Sequence, residues 1–171
     1  VRLCAERDIQ VLTVFAFSSE NWNRPQDEVS GLMELLAFAL AREVAQLRKE
    51  GVRIRFVGER QGLSASIASG LDDAEQATAA NTRIELNVCF NYGGRWDVVQ
   101  AARQLAADGK TITEDSLSSA LSTAHCGDPD LIIRTGGEMR LSNFLLWQAA
   151  YAELFFSPCL WPDFDAADLD A

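Results

Sequence analysis

The sequence predicts an α/β fold: an open, mostly parallel sheet flanked by helices on both faces. Short β-branched and aromatic runs alternate along the chain with longer segments in which apolar residues recur at helical spacing. The segments between successive runs are long enough for the crossover connections that parallel strands require. No linker, internal repeat or low-complexity tract interrupts the 171 residues, so we expect one domain over residues 1–171.

The first half of the chain predicts three buried strands with helices before and between them. The strands are Val11 to Phe17, Val52 to Val57 and Ile84 to Phe90, and helices are expected over Val1 to Asp8, from Pro25 to Gly51 and around Ile67 to Ala74. The helix after Pro25 has the strongest signals. Asp27 and Glu28 favour the positive end of its dipole, and Gly51 ends it.

The second half predicts shorter elements. Helices are expected over Trp96 to Ala107, over Glu114 to Ser122 with Thr113 as N-cap, and from an N-cap at Ser142 through Tyr151; strands are expected over Leu131 to Ile133 and Leu154 to Phe156. The acidic stretch from Asp163 to Asp170 can open a further helix. Both ends of the chain look cut, and a sheet that begins this way is expected to lack an edge or central strand.

Charge and cysteine content exclude several classes of function. A formal net charge of -10 argues against a nucleic-acid partner, because such proteins need a surplus of lysine and arginine. The four cysteines are scattered without a CxxC pair, so we expect reduced thiols and no zinc site. No apolar run reaches the roughly 20 residues of a membrane-spanning helix and no signal peptide opens the chain. We therefore expect a soluble, cytoplasmic protein.

Three loops that follow predicted strands carry arginine: Ser18 to Pro25, Asn91 to Asp97 and Arg134 to Arg140. In open parallel sheets, ligands bind beyond the carboxyl ends of the strands. In the last loop, the two glycines are expected to let the backbone approach a ligand, between the forked donors of Arg134 and Arg140. This predicts a phosphate or diphosphate site. The pattern is neither a Walker loop nor GxGxxG, so the ligand stays open among phosphorylated metabolites.

The helix behind the first loop is more apolar than one core-facing side requires. Leu32, Leu35 and Leu36 form a continuous stripe, and Phe38 and Leu40 extend it. Such a helix usually belongs to the core. The alternative is that one face lines an apolar tunnel beside the anion site, which would suit a ligand with a diphosphate head and a hydrocarbon tail.

Several blocks resemble the cis-prenyltransferase family, most closely the bacterial undecaprenyl diphosphate synthase type. They are AFSSENWNRP (residues 16–25), NYGGRWD (91–97), DLIIRTGGEMRLSNFLLWQAAYAELFF (130–156) and LWPDF (160–164). The resemblance implies the corresponding open, parallel α/β fold and a Mg²⁺-dependent transferase. Such an enzyme condenses isopentenyl diphosphate repeatedly onto farnesyl diphosphate, and undecaprenyl diphosphate for the cell-wall lipid carrier is the expected product.

The resemblance also implies roles for individual residues. Those expected to bind substrate are Phe17, Ser18, Ser19, Glu20, Trp22, Arg24, Arg134, Arg140, Leu141 and Ser142. Of these, Arg134, Arg140 and Ser142 match the isopentenyl diphosphate site. Asn21 matches the asparagine proposed to accept the proton lost from isopentenyl diphosphate. Because an amide is a poor base, we expect Asn21 to act within a relay. Glu153 matches a magnesium ligand, and the tunnel-lining residues are Leu32, Leu35 and Leu36, where bulk limits product length.

This chain departs from the family pattern in three ways. The family opens with a strand and a DGNGRWA-type phosphate loop whose aspartate binds magnesium, and that segment does not precede Val1, so we expect the chain alone to be inactive. The family's carboxyl-terminal tail is expected to be absent as well. Met139 stands where many relatives have histidine, which argues against a proton-handling role there.

Partners follow from the resemblance too. We expect a homodimer that works at the inner membrane surface, because its product is a lipid. The alternatives are a cis-prenyltransferase of another chain length, a non-catalytic partner subunit of such an enzyme, and a different diphosphate-binding α/β enzyme such as a nucleotide hydrolase. Retention of Asn21, Arg24 and Glu153 together with both arginines of the third loop argues against the non-catalytic subunit.

Overall fold

The computed structural model describes residues 1–170, which divide into two compact units. The first unit comprises residues 1–92, and the second begins at Gly93. Each unit holds its own parallel sheet with helices packed beside it. The predicted α/β class, with parallel strands flanked by helices, is confirmed; one domain over the whole chain stays a prediction.

The first unit is built on three parallel strands in the order β1-β3-β2. Its elements are α1 (Arg2–Glu6), β1 (Val11–Ser18), α2 (Gln26–Lys49), β2 (Val52–Val57), α3 (Ala65–Thr78) and β3 (Ile84–Tyr92). Each lies within a few residues of its predicted bounds. Because β1 and β3 are parallel and Ser18 pairs with Tyr92, their carboxyl ends meet at one edge of the sheet.

Two helices cover one face of this sheet. Ile67 and Leu71 of α3 are buried against Phe17 and Phe90, which lie near the carboxyl ends of β1 and β3. The side chains that α2 packs against this cluster are Leu32, Met33, Leu36 and Leu40. The apolar periodicity of both helices therefore marks their core-facing sides, as predicted.

Gly58 allows the chain after β2 to cross closely over the end of β3. Its φ is 146°, and a Cβ there would lie 1.9 Å from the carbonyl oxygen of Phe90. No other residue fits this approach, because only glycine lacks the Cβ. The crossing brings Glu59 within hydrogen-bonding distance of Asn91, where the Glu59 N–H donates to the Asn91 carbonyl at 3.0 Å.

Over residues 93–170, the second unit contains two parallel strands and three α-helices. They are α4 (Gly94–Ala107), α5 (Glu114–Ala120), β4 (Leu131–Arg134), β5 (Glu153–Phe156) and α6 (Ala166–Asp170). Leu105 and Leu117 are buried where α4 packs on α5. Thr113 caps α5 as predicted, since its Oγ1 accepts the Ser116 N–H at 3.1 Å.

The predicted long helix from Ser142 is wrong. Only the 3-10 turn Gln148–Tyr151 is helical in this segment, and φ is 50° at Ser142 and 66° at Asn143, which excludes an α-helix. Tertiary contacts explain the difference. The Asn143 carbonyl accepts the Gly94 N–H at 2.6 Å, and its Oδ1 accepts the Arg95 N–H at 2.9 Å. These bonds cap α4, and they stabilise tight turns where the apolar spacing alone favours a helix.

Within residues 1–170, no helix combines the length and the apolar character needed to cross a membrane.

Candidate functional site

The loop after β1 is held by its own side chains. It forms a 3-10 turn at Ser19–Asn23, in which the Ser18 N–H donates to Asn21 Oδ1 at 2.9 Å. The hydroxyls of Ser18 and Ser19 donate to Glu20 Oε2 at 2.9 and 3.3 Å. This capping arrangement fixes the orientation of the Asn21 amide through its Oδ1, and its Nδ2 is a hydrogen-bond donor.

An aromatic cluster supports the same loop. The Trp22 ring packs edge-on against Phe17, with 5.1 Å between ring centroids, and Phe17 stacks on Phe90 at 5.2 Å. Phe17 is 2% exposed, whereas Trp22 is 41% exposed. Part of the Trp22 side chain is thus available to a ligand, while its contact with Phe17 anchors it to the core.

Arg24 closes the loop and is free to meet an anion. Its guanidinium lies 3.7 Å from the Glu28 carboxylate, and both side chains are more than half exposed. An exposed pair of this kind contributes little to stability, so an anionic ligand can replace Glu28 at low cost.

An apolar cavity of about 330 Å³ lies between α2 and the sheet of the first unit. All three predicted tunnel residues, Leu32, Leu35 and Leu36, line it, together with Phe17 and Phe90 from the strand ends. Leu35 is 65% exposed, so the cavity opens beside α2. Phe17 belongs both to the cavity wall and to the support of Trp22, and the cavity therefore reaches the polar loop.

In the second unit, Arg134 organises the loop that follows β4. Its Nη1 donates to the Arg140 carbonyl at 2.6 Å and to Ser142 Oγ at 2.7 Å. Within the described residues, its Nη2 and Nε have no partner. Arg140 is exposed and ion-paired with Glu138. The structure thus brings Arg134, Arg140 and Ser142 together around half-buried Leu141, with guanidinium donors left for a ligand.

The N–H groups of both glycines in this loop are bonded within the second unit, and the close approach of a ligand to their backbone stays a prediction. The Gly136 N–H donates to the Cys159 carbonyl at 2.7 Å, and the Gly137 N–H donates to the Ser157 carbonyl at 3.0 Å. Both residues have positive φ, which glycine adopts without strain. Their N–H groups therefore bind the loop to the segment after β5.

Met139 lies within this loop, and Cys159 contacts it from the segment after β5. Met139 is 78% exposed and carries no proton to transfer. Partial burial, followed by the nearby carboxylates of Asp168, Asp163 and Asp165, raises the pKa of the Cys159 thiol. The thiol therefore stays neutral, and weakly nucleophilic, at neutral pH.

Glu153 lies apart from the arginines. It is the first residue of β5 and pairs with Leu131, whereas Arg134, at the far end of β4, pairs with Phe156. Along β4, the position paired with Glu153 and the position of Arg134 are three residues apart, which corresponds to about 10 Å. The Glu153 carboxylate is exposed and forms no ion pair within residues 1–170. As an exposed carboxylate, it can supply one oxygen ligand to a hard cation such as magnesium.

Asp97, which the sequence did not single out, is a buried carboxylate of the second unit that accepts several hydrogen bonds. It is fully buried, and its Oδ1 accepts from the Ser122 N–H at 2.9 Å, the Ser122 hydroxyl at 2.7 Å and Gln100 Nε2 at 3.1 Å. Its Oδ2 accepts from Gln148 Nε2 at 3.1 Å. The signal for it in the sequence was weak. A carboxylate one turn before a glutamine, as at Asp97 and Gln100, is also common on solvent-exposed helices.

Gly94 allows the chain after the arginine loop to contact α4. A Cβ there would lie 2.8 Å from Leu146 Cγ and 2.9 Å from the Leu146 nitrogen. We expect Gly94→Ala to displace this segment and to lower the free energy of unfolding by about 1–3 kcal/mol.

Urea denaturation followed by circular dichroism measures the effect of Gly94→Ala. The matched control is Gly31→Ala, because a Cβ at Gly31 in α2 meets nothing within 4 Å. The control should be neutral or slightly stabilising. Equal stabilities of the two variants would contradict the close contact.

The predicted meeting of Arg24 with Arg134 and Arg140 involves both units and stays a prediction. Within each unit, the structure gathers the predicted residues of that unit, except Glu153.

Comparison with known proteins identifies what this arrangement is similar to. The profile of a family described as "Putative undecaprenyl diphosphate synthase" matches residues 1–171. An isoprenyl transferase of Neisseria gonorrhoeae is 52% identical over 172 residues, which are 100% of this chain and 69% of that protein. A ditrans,polycis-undecaprenyl-diphosphate synthase of Pseudomonas aeruginosa, specific for (2E,6E)-farnesyl diphosphate, is 52% identical over 178 residues, 100% of this chain and 71% of that protein.

Solved structures show the same likeness. A crystal structure of a "probable undecaprenyl diphosphate synthase" from Campylobacter jejuni superposes with a TM-score of 0.94 at 34% identity, covering 99% of this chain and 80% of that one. Lavandulyl diphosphate synthase from Lavandula x intermedia, in complex with dimethylallyl diphosphate, has a TM-score of 0.92 at 34% identity over 98% of this chain and 76% of that one.

Proposed function

Since the chain belongs to the undecaprenyl diphosphate synthase family of prenyltransferases, we propose that the full-length protein makes undecaprenyl diphosphate from farnesyl diphosphate and isopentenyl diphosphate. Relatives that are 52% identical over the aligned residues carry the names isoprenyl transferase and farnesyl-specific undecaprenyl-diphosphate synthase. The protein is thus a transferase of isoprenoid biosynthesis. Its product length and its preferred allylic substrate are the proposed part.

The apolar cavity of the first unit carries this proposal. Its volume of about 330 Å³ falls within the range of ligand pockets, and a single charged side chain, Glu43, is among its lining residues. It adjoins the loop that holds Asn21, Trp22 and Arg24. A polar loop over an apolar cavity suits a substrate with an ionic head and a hydrocarbon tail.

The chemistry assigns tasks to the charged residues. Condensation forms a carbon–carbon bond between C4 of isopentenyl diphosphate and C1 of the allylic diphosphate; the C1–O bond breaks, pyrophosphate leaves, and the isopentenyl unit loses a proton. Arg134, Arg140 and Ser142 hold the isopentenyl diphosphate, because forked guanidinium donors match phosphate oxygens. Asn21, oriented by the Ser18 N–H, takes part in the proton relay.

A divalent cation completes this chemistry. Magnesium, when bound, neutralises the charge on the departing diphosphate. Glu153 is the carboxylate of this chain proposed to hold it, and its free, exposed oxygens suit a hard cation.

Assembly and location are further parts of the proposal. The protein is proposed to act as a homodimer, as the family resemblance implies, and to release its product at the inner surface of the membrane. The long apolar chain of that product requires such a surface, because water does not dissolve it.

Incubation of the full-length protein with radiolabelled isopentenyl diphosphate, farnesyl diphosphate and Mg²⁺ tests the function. We expect polyprenyl products that chromatograph, after dephosphorylation, with undecaprenol. Products of another length would correct the chain length alone. Turnover of nucleoside triphosphates without isopentenyl incorporation would instead indicate a nucleotide hydrolase.

Leu36→Trp should shorten the product. Leu36 lines the cavity and is partly buried, so the indole fills space that the growing chain otherwise occupies. We expect the main product to lose at least one isoprene unit while the first condensation continues. Chromatography of the products measures this, with Ala41→Trp, on the exposed side of α2, as control. If both variants kept the normal length, Leu36 would be a core residue only.

A further inference from the structure

Asn91, near the end of β3, lies in a backbone conformation that few residues adopt. Its φ is 52°, in the left-handed region, and it is 7% exposed. Asparagine tolerates this region better than most residues that carry a Cβ. A buried amide in such a conformation must have its hydrogen-bonding groups satisfied, and its partners show what it does.

The Asn91 side chain joins two loops. Trp22 Nε1 donates to Asn91 Oδ1 at 2.8 Å, and Asn91 Nδ2 donates to the Glu59 carbonyl at 2.8 Å. The Asn91 carbonyl also accepts the Glu59 N–H at 3.0 Å. The amide orientation is unambiguous, because an indole N–H only donates and a carbonyl only accepts.

No other side chain of this size satisfies both partners. Aspartate would accept from Trp22 but would place a carboxylate oxygen against the Glu59 carbonyl, and leucine would leave both partners unsatisfied. The backbone bond between Glu59 and Asn91 fixes the base of the side chain. The indole of Trp22 is therefore held from the loop after β2, by way of Asn91.

We propose that Asn91 is a positioning residue for prenyl transfer: it fixes the Trp22 indole, and thereby the loop that carries Asn21 and Arg24. This inference rests on the proposed function, because the loop is taken to contact substrate. Trp22 has two supports, the ring of Phe17 and the amide of Asn91, and the amide alone sets the direction of its N–H.

The first test needs no activity. Asn91→Gly removes the amide and still allows positive φ. In ¹H–¹⁵N spectra of the full-length protein, we expect the Trp22 indole signal, assigned by its loss in Trp22→Phe, to move and to exchange with solvent at least about tenfold faster. An unchanged Trp22 signal in Asn91→Gly would overturn the inference.

A double-mutant cycle gives the catalytic test. We expect Asn91→Gly to lower kcat/KM for isopentenyl diphosphate by about tenfold or more, because misplacement of a substrate-positioning group is costly. In a Trp22→Phe background, the same change should matter less than about twofold, since the indole N–H is already gone. An undiminished loss in that background would show that Asn91 does not act through Trp22.

Asn81→Ala is the matched control. Asn81 is another amide of the first unit, whose Nδ2 donates to the carbonyls of Arg48 and Val52 at 3.0 and 2.7 Å. It precedes β3, at the opposite end of that strand from Asn91. We expect lower stability with an unchanged Trp22 signal and unchanged kcat/KM; a moved Trp22 signal would show that any lost amide has this effect and would refute a specific role for Asn91.

The proposed function and the role of Asn91 are tested by different measurements, so either one can be refuted without the other. A wild-type protein that makes no polyprenyl diphosphate would overturn the proposed function, and the indole spectra would still decide whether Asn91 holds Trp22.

Discussion

Arg134→Ala should lower kcat/KM for isopentenyl diphosphate by about a hundredfold. The substitution removes a guanidinium donor for the diphosphate. It also removes the two bonds that Arg134 Nη1 makes to the Arg140 carbonyl and to Ser142 Oγ, at 2.6 and 2.7 Å, so the loop loses its organising side chain. Steady-state kinetics of the full-length enzyme, with farnesyl diphosphate saturating, measures the loss.

Comparison of the KM values of the arginine variants for the two substrates identifies the isopentenyl diphosphate site. The KM for farnesyl diphosphate should change much less than that for isopentenyl diphosphate. Arg140→Ala should have the same selectivity with a smaller effect, because Arg140 is exposed and does not hold the loop. Arg134→Lys should be intermediate, since lysine keeps the charge without the fork.

Arg103→Ala serves as the control for the arginine variants. Arg103 is an exposed residue of α4 with no hydrogen bond or ion pair among residues 1–170. Its removal should leave both KM values unchanged. Wild-type kinetics in Arg134→Ala and Arg140→Ala would show that the isopentenyl diphosphate site lies elsewhere.

Asp97→Ala should lower the free energy of unfolding by at least about 3 kcal/mol. Four donors from Ser122, Gln100 and Gln148 converge on this buried carboxylate, and the first two of them, the Ser122 N–H and hydroxyl, lie at 2.9 and 2.7 Å. Alanine leaves these donors without an acceptor in the interior. The cost is therefore that of unsatisfied buried groups together with the loss of charge-assisted bonds.

Thermal and urea denaturation measure this effect, and we expect the Tm to fall by about 10 °C. Asp97→Asn should lower stability less than Asp97→Ala, because one oxygen acceptor remains. Some loss is still expected, since the new NH₂ group faces a donor. Asp108→Ala is the control on the same helix: Asp108 pairs with Lys110 at the exposed end of α4, and its loss should have little effect. A Tm unchanged by Asp97→Ala would contradict a structural role for the network.

Local patterns were enough to predict most of the elements. The β-branched run from Val11 and the alternating run from Val52 became strands, because burial on a sheet is what such residues favour. The helix after Pro25 ends at Lys49, just before Gly51, because glycine terminates helices readily. These outcomes depend on residues close together in the chain.

Interactions between distant residues were not predictable in the same way. The segment after Ser142 has the apolar spacing of a helix, yet Asn143 bonds to Gly94 and Arg95, 48 or 49 positions earlier in the chain, and its backbone turns. Asp97 and Asn91 gave little signal, because a polar residue on a helix or in a loop is usually solvated. Their importance comes from partners that only folding brings near.

By itself, the sequence determined the α/β class, most of the helices and strands, and the family, because these depend on local periodicity and on contiguous motifs. The tertiary structure decided that Asn91 holds Trp22, that Asp97 gathers Ser122 and Gln148, and that Glu153 lies a strand's length from Arg134. Hydrogen bonds act over about 3 Å and apolar side chains touch at about 4 Å. Which groups reach those distances is settled by how the strands and helices pack.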